Sequence, residues 1–226
     1  MDTTIDLTKE QNATLQRSPL KYSAAAKVFF KIMDVITGEA ITLPKAALIE
    51  MLASIPYRAW EGAEYVRSSL NYADGARVKY AEKLQGWNRY AQDNEYGHLL
   101  VIQEKMRLDG VSEPWWLMPP VPYFFMLKYR VMSFFFARFS QRHAWLFNAE
   151  FEDHAEHVYA KFVQEHPELE SQPVDGNPVV TSVYGELSTW ADVFRRVGLD
   201  ERDHRNKSFS LAGQPEKVVS YDGMPE

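Results

Sequence analysis

Asp93–Met106 reads DNEYGHLLVIQEKM, and a second stretch, Asp192–His204, reads DVFRRVGLDERDH. Both are built from helix formers, and each holds one Glu-x-x-His, Glu95/His98 in the first and Glu201/His204 in the second. On a helix a three-residue separation puts both side chains on one face, so each pair can present a carboxylate and an imidazole to the same ion. Cysteine is absent, which excludes thiolate zinc sites, iron–sulfur clusters, disulfide scaffolds and cysteine nucleophiles. Any metal must therefore be held by His, Asp or Glu.

Working outward from these two stretches, the rest of the chain also reads as helix. Tyr22–Ile36 (YSAAAKVFFKIMDVI) has apolar residues at three- and four-residue steps and Gly38 to stop it. Pro44 opens PKAALIEMLASIPYRAWEGAEYVRSSL, with Pro56 expected to kink it. The third helix runs from about Asp74 to Met106, and Tyr123–Gln164 is long enough for two helices, split near Arg142. The last helix covers roughly Ser188–Lys207. Only VVTSVY, from Val179, has the β-branched character of a strand. The polar, aperiodic residues 1–19 read as a flexible N-terminal arm, residues 20–210 as the folded domain and 211–226 as a C-terminal tail.

A di-iron carboxylate bundle takes one Glu from each of two helices and a Glu-x-x-His from each of two others. The second helix offers Glu50, with Glu61 and Glu64 further along it, and the helix after Arg142 offers Glu152. Four carboxylates offset two divalent cations, and oxygen with imidazole nitrogen suits iron or manganese. Around Glu152, a rival set of Glu150, Asp153, His154, Glu156 and His157 crowds the same helix, but consecutive positions point in different directions. Neighbours three or four residues away share the Glu152 face, and Glu156 and Tyr159 fall on it.

The composition is 46% hydrophobic and 25% charged with net charge −6, which supplies a core and argues against a general nucleic-acid binder. Aromatic residues concentrate in Pro114–Trp145, PWWLMPPVPYFFMLKYRVMSFFFARFSQRHAW. Its uncharged run, Pro114–Leu127, is shorter than the roughly 18–20 residues that span a bilayer. No acid occurs from Pro114 to Ala149, whereas Lys128, Arg130, Arg138 and Arg142 do. Aromatic rings with snorkelling cations suit a membrane surface. The expected fold class is all-α, a ferritin-like four-helix bundle holding a di-iron centre, with additional helices forming a membrane-interface face.

Four segments resemble the alternative oxidases, and more closely their plastid terminal oxidase branch. IEMLASIPYRA (49–59) is similar to that family's LETIAxVPY segment, DNEYGHLLVIQEKM to NExxHLLxMEEL, FEDHAEHVYAKF (151–162) to VESHAYETYDKF, and DVFRRVGLDERDH to DVFxxIRDDEAEH. The resemblance selects Glu50 rather than Glu61 or Glu64, and implies a di-iron centre ligated by Glu50, Glu95, His98, Glu152, Glu201 and His204. It further implies a redox-active Tyr159, Asn94 and Asp200 as residues hydrogen-bonding the ligand histidines, and a quinol pocket lined by Lys45, Ile49, His154 and Val158. Lys45 stands where the family usually has Arg, which removes a planar fork.

The implied activity is a cyanide-insensitive quinol:oxygen oxidoreductase that oxidises ubiquinol or plastoquinol and reduces O2 to water. The implied setting is a homodimer held as a monotopic protein on the bilayer surface, at the cytoplasmic or stromal-equivalent face of an energy-transducing membrane. Phe29, Phe30 and Ile32 are expected to join the apolar face. The N-terminus carries neither a secretory h-region nor an Arg-rich transit sequence, so the expectation is a bacterial, cyanobacterial or phage-encoded version, or one from which a targeting peptide has been removed. A di-iron hydroxylase of a quinone or lipid is the alternative enzymatic reading, and a metal-storage or lipid-binding helical protein is the non-enzymatic one.

Overall fold

The computed structural model describes residues 5–224, and among them the chain is all-α, with eight α-helices, two short 3₁₀ turns and no strand. The chain divides into two compact units. Of the described residues, one comprises 5–41 and 145–224, and the other 42–144.

The 42–144 unit is built on two long antiparallel helices, α3 (Leu43–Leu70) and α4 (Gly75–Leu108). At 28 and 34 residues they run about 40 and 50 Å. Both start on side-chain caps: Thr42 Oγ1 accepts from the Lys45 amide, and Asp74 Oδ1 accepts from the amides of Ala76 and Arg77. Alanines line their buried faces (Ala47, Ala53, Ala59, Ala63, Ala81, Ala91), with Tyr57, Trp60, Leu84, Val101 and Ile102 filling the core between them. Pro56 lies inside α3 without ending it, although its missing N–H forfeits one ladder bond. The third helix of this unit, α5 (Val121–Phe139), buries only Pro122, Ser133 and Ala137. Phe124, Leu127, Phe135, Phe136 and Phe139 are among its exposed side chains.

In the other unit, α1 (Leu7–Gln16) and α2 (Ala24–Thr37) precede α6 (Gln141–Glu165), α7 (Pro178–Tyr184) and α8 (Trp190–Leu211). The break between α5 and α6 falls at Ser140, two residues before the expected split. Helices α6 and α8 carry the core residues Trp145, Tyr159, Phe162, Phe194 and Val197. Phe162 and Phe194 meet edge to face at 4.9 Å.

Two segments differ from their sequence-based expectation. Residues 7–16, expected within a flexible arm, form α1, because Asp6 caps the first turn and polar side chains tie the helix down. Gln11 donates to the Ala160 carbonyl, and Arg202 donates to the Glu10 carbonyl and to Thr14. The VVTSVY segment lies in α7 rather than a strand, since Asn177 accepts from the Val179 and Val180 amides and Pro178 occupies the first turn. Phe29 and Phe30, expected on an apolar outer face, are half-buried against Phe147, Phe151 and His154 of α6, whereas Val28, Ile32 and Val35 are exposed. No helix among the described residues is long and apolar enough to cross a membrane.

Candidate metal centre

In the 42–144 unit, the antiparallel pairing of α3 and α4 sets Glu50 opposite Glu95 and His98. His98 Nδ1 is 3.1 Å from Glu50 Oε2 and 3.5 Å from Glu95 Oε2. One ligand atom from each of the three lies within 4.8 Å of the others. The three-residue step between Glu95 and His98 puts both on one buried face of α4. Glu61 and Glu64, the other acids of α3, are engaged elsewhere: Glu61 accepts from Arg89 and Gln92, and Glu64 from Arg67 and Gln141. Burial pushes the Glu64 carboxyl above its usual range despite those donors.

The other unit holds a matching triad. Glu152 of α6 and Glu201 and His204 of α8 also offer ligand atoms within 4.8 Å of one another, with His204 Nδ1 3.6 Å from Glu201 Oε2. Glu152 is oriented from its own helix: Asn148, one turn earlier, donates to Glu152 Oε1 at 2.9 Å and lies 3.1 Å from Ser208 Oγ of α8. All six triad residues are at most 1% exposed. Burying carboxylates this completely is costly unless a cation compensates them, and oxygen and imidazole donors without sulfur suit a hard or borderline divalent metal. The donor set in each unit fits a metal ion.

The rival cluster around Glu152 is committed to arginine. Although Asp153, Glu156 and His157 also come within ligating distance of one another, Arg205 donates to Asp153 at 2.8 Å and Arg202 to Glu156 at 2.8 Å. Arg17 donates to Glu156 as well, and Asp153 accepts from the Leu20 amide and the Tyr22 hydroxyl. His157 spans the Asp153 and Arg17 carbonyls. Glu150 accepts from Ser23 at the start of α2, and His154 stacks on Phe30 at 4.0 Å. Burial pushes the Glu156 carboxyl up, but Arg17, Arg202 and Thr14 outweigh it and hold it below the usual carboxylate range. A carboxylate held by two guanidiniums makes a structural anchor.

The remaining sequence-predicted residues fall as follows. Tyr159 is buried on α6, stacked on Phe194 with ring centroids 6.5 Å apart. Lys45 is buried in the first turn of α3 and the half-buried Ile49 lies one turn on; His154 and Val158 are half-buried and one turn apart on α6. Each is an i,i+4 pair on one helix face. Asp200 is buried and accepts from Arg196, while Asn94 is half-buried beside Glu95 on α4.

Four contributors were not expected from sequence. Asn148 was legible in principle, being four residues before Glu152 on the same helix. Gly198 was not: a Cβ there would lie 3.2 Å from Tyr159 Cβ, so the glycine is what lets α8 pass close to the tyrosine. Glu10 and Thr14 were hidden because α1 is held by polar groups, which leave no hydrophobic periodicity. Compared with known proteins, the chain matches no family model, no curated protein sequence and no solved structure.

Proposed function

We propose that the chain is a di-iron quinol oxidase acting at a membrane surface, in which the two triads together hold a pair of irons. The observation that carries this reading is the duplication: two buried Glu/Glu/His sets, each built on the spacing that a di-iron carboxylate bundle uses. Glu50, Glu95 and His98 would serve as one set of ligands and Glu152, Glu201 and His204 as the other. An iron pair so held supplies one-electron redox steps and a place for oxygen to bind.

The chain's own residues account for the rest. The reaction balances as two quinols and one O2 giving two quinones and two waters, so four electrons and four protons must be delivered. The desolvated triads keep bulk water from the reacting centre. Asn148 fixes the orientation of Glu152, so that its outer oxygen is presented in one direction. Tyr159 holds a phenol next to that same helix face, buried against Phe194, where it can give up an electron and a proton without contact with solvent. Lys45 with Ile49, and His154 with Val158, offer a cation, an imidazole and apolar contacts suited to a quinol headgroup. The exposed apolar side chains of α5 and of α2 support a membrane surface as the source of that quinol.

Oxygen uptake by iron-loaded protein in detergent, with a short-chain quinol and cyanide present, tests the reading. The expected result is two quinols consumed per oxygen and no labelled oxygen in any organic product. Incorporation of label into the quinone would replace the oxidase by the hydroxylase, and absence of uptake by protein carrying both irons would refute turnover with quinol.

A further inference from the structure

At one end of the 42–144 unit three guanidiniums converge. Arg67 from the last turn of α3, Arg77 from the first turn of α4 and Arg138 from the last turn of α5 line a cleft of about 460 Å³, together with Leu70 and Asn71. The volume lies within the range of small-molecule sites. Two of the arginines are already oriented. Arg67 is paired with Glu64 and reaches the Ala137 carbonyl at 3.4 Å, which ties the end of α5 to the cleft. Arg77 donates to Asn71 Oδ1 at 2.9 Å and lies 3.1 Å from Asp74.

Arg138 is different. Its guanidinium sits 5.7 Å above the Phe139 ring, and among the described residues no carboxylate comes within ion-pair distance of it. Three positive charges against Glu64 and Asp74 leave the cleft with one positive charge in excess, on the side chain with the greatest freedom to turn inward. Planar guanidiniums approaching from three helices match the geometry of a phosphate oxyanion better than that of a monovalent halide.

Apolar side chains border Arg138. Leu70 lines the cleft and is exposed, and on α5 the exposed rings of Phe135 and Phe139 stack on one another with Arg138 over the latter. A phosphate alone has no use for such a border, whereas a ligand with a charged head and a hydrocarbon tail does.

We infer that the Arg67/Arg77/Arg138 cleft is a binding site for a phosphate ester, and that its occupant is the headgroup of an anionic phospholipid whose acyl chain lies along the exposed face of α5. The inference rests on the membrane-surface part of the proposed function and is independent of the metal centre.

The test uses the full chain with phosphatidylcholine vesicles, with and without phosphatidylglycerol, at fixed ionic strength. Arg77→Gln/Arg138→Gln is compared with Lys128→Gln/Arg130→Gln, which removes the same charge from α5 outside the cleft. All four side chains are exposed, so both variants keep the fold, as circular dichroism will verify. Each removed surface charge weakens attraction to anionic lipid by about fivefold. The cleft variant is expected to lose its preference for phosphatidylglycerol by at least a further fivefold beyond the control pair. Equal losses in the two variants would reduce the cleft to diffuse surface charge and overturn the inference.

A second arm titrates inorganic phosphate and glycerol phosphate without vesicles, read by calorimetry. Binding that disappears in the cleft variant, with no lipid preference, keeps the phosphate site and removes the lipid as its occupant. Should the protein bind no vesicles at all, the membrane-surface reading fails, and the cleft stands or falls on this arm. No response to the Arg77/Arg138 changes in either arm refutes the site, whatever the protein's iron content or oxidase activity.

Discussion

Asn148 is a small residue with a large expected effect, because its amide donates to a fully buried carboxylate that is a candidate metal ligand. Removing a partner that orients a metal ligand typically weakens metal affinity by about 10- to 100-fold. Asn148→Ala should therefore stay folded yet bind iron that much more weakly, as a chelator competition would show; unchanged affinity would mean that Asn148 does not position Glu152 for a metal. Gly198 sets a second residue-scale constraint. Alanine there gains helix propensity but forces its Cβ against that of Tyr159, and the contact is at the root of the tyrosine, where no torsion can relieve it. Overpacking of this kind costs about 1–3 kcal/mol against a propensity gain of about 1. Gly198→Ala should lower stability by about 1 kcal/mol in urea denaturation and shift the Tyr159 environment, and a stabilised protein would contradict the close approach. At this scale the sequence was most informative for Glu-x-x-His, because the spacing itself encodes a shared face. It was silent on Gly198, whose role depends on where another helix passes.

Among the elements, α1 shows how a helix can be anchored with little apolar surface. Its buried residues are Glu10 and Thr14, held by Arg202 and Glu156 in a network that Arg17 completes. A hydrophobic pattern could not announce it, which is why those residues read as an arm. Breaking a buried ion pair by removing one partner costs about 3–5 kcal/mol. Glu156→Ala should thus free α1, seen as faster amide exchange in residues 7–16 while α8 stays protected; uniform protection would show that the clasp is dispensable.

The same network is acid-sensitive. Glu156 has a folded-state value lowered by Arg17 and Arg202, so its contribution is fully present above the unfolded carboxyl value near 4.5. That contribution is lost as the pH falls from there through the lower folded value. Asp153 pairs with Arg17 and Arg205 and Glu10 with Arg202, so the network has three carboxylates among its arginines. Exchange in α1 should accelerate below about pH 4.5 and be independent of pH between 5 and 7 once corrected for intrinsic rates. Helix α7 makes the complementary point: β-branched residues lean toward strand, yet four of them within seven residues form a helix where Asn177 and Pro178 start one.

For the whole molecule, each of two compact units holds three buried candidate ligands, and α6 carries the chain across the boundary between residues 144 and 145. The all-α class was legible from periodicity and from two repeated motifs. The division into units was not, because a continuous helix crosses it at residues 144 and 145. If both triads contribute to one centre, metal should stabilise the entire chain. A ligand at about 1,000 times its Kd adds about 4 kcal/mol. Iron loading should raise the thermal midpoint in a single transition sensed by both units, and chelation should reverse it. A shift confined to one unit would show that the triads act separately.

The most direct measurement is an anaerobic ferrous titration of the metal-free protein, followed by Mössbauer spectroscopy of the oxidised product. The six-ligand centre predicts saturation at two irons per chain and a magnetically coupled ferric pair, with both lost in Glu152→Ala and in Glu95→Ala alike. Saturation at one iron, or two uncoupled irons that each single variant removes independently, would contradict a shared centre.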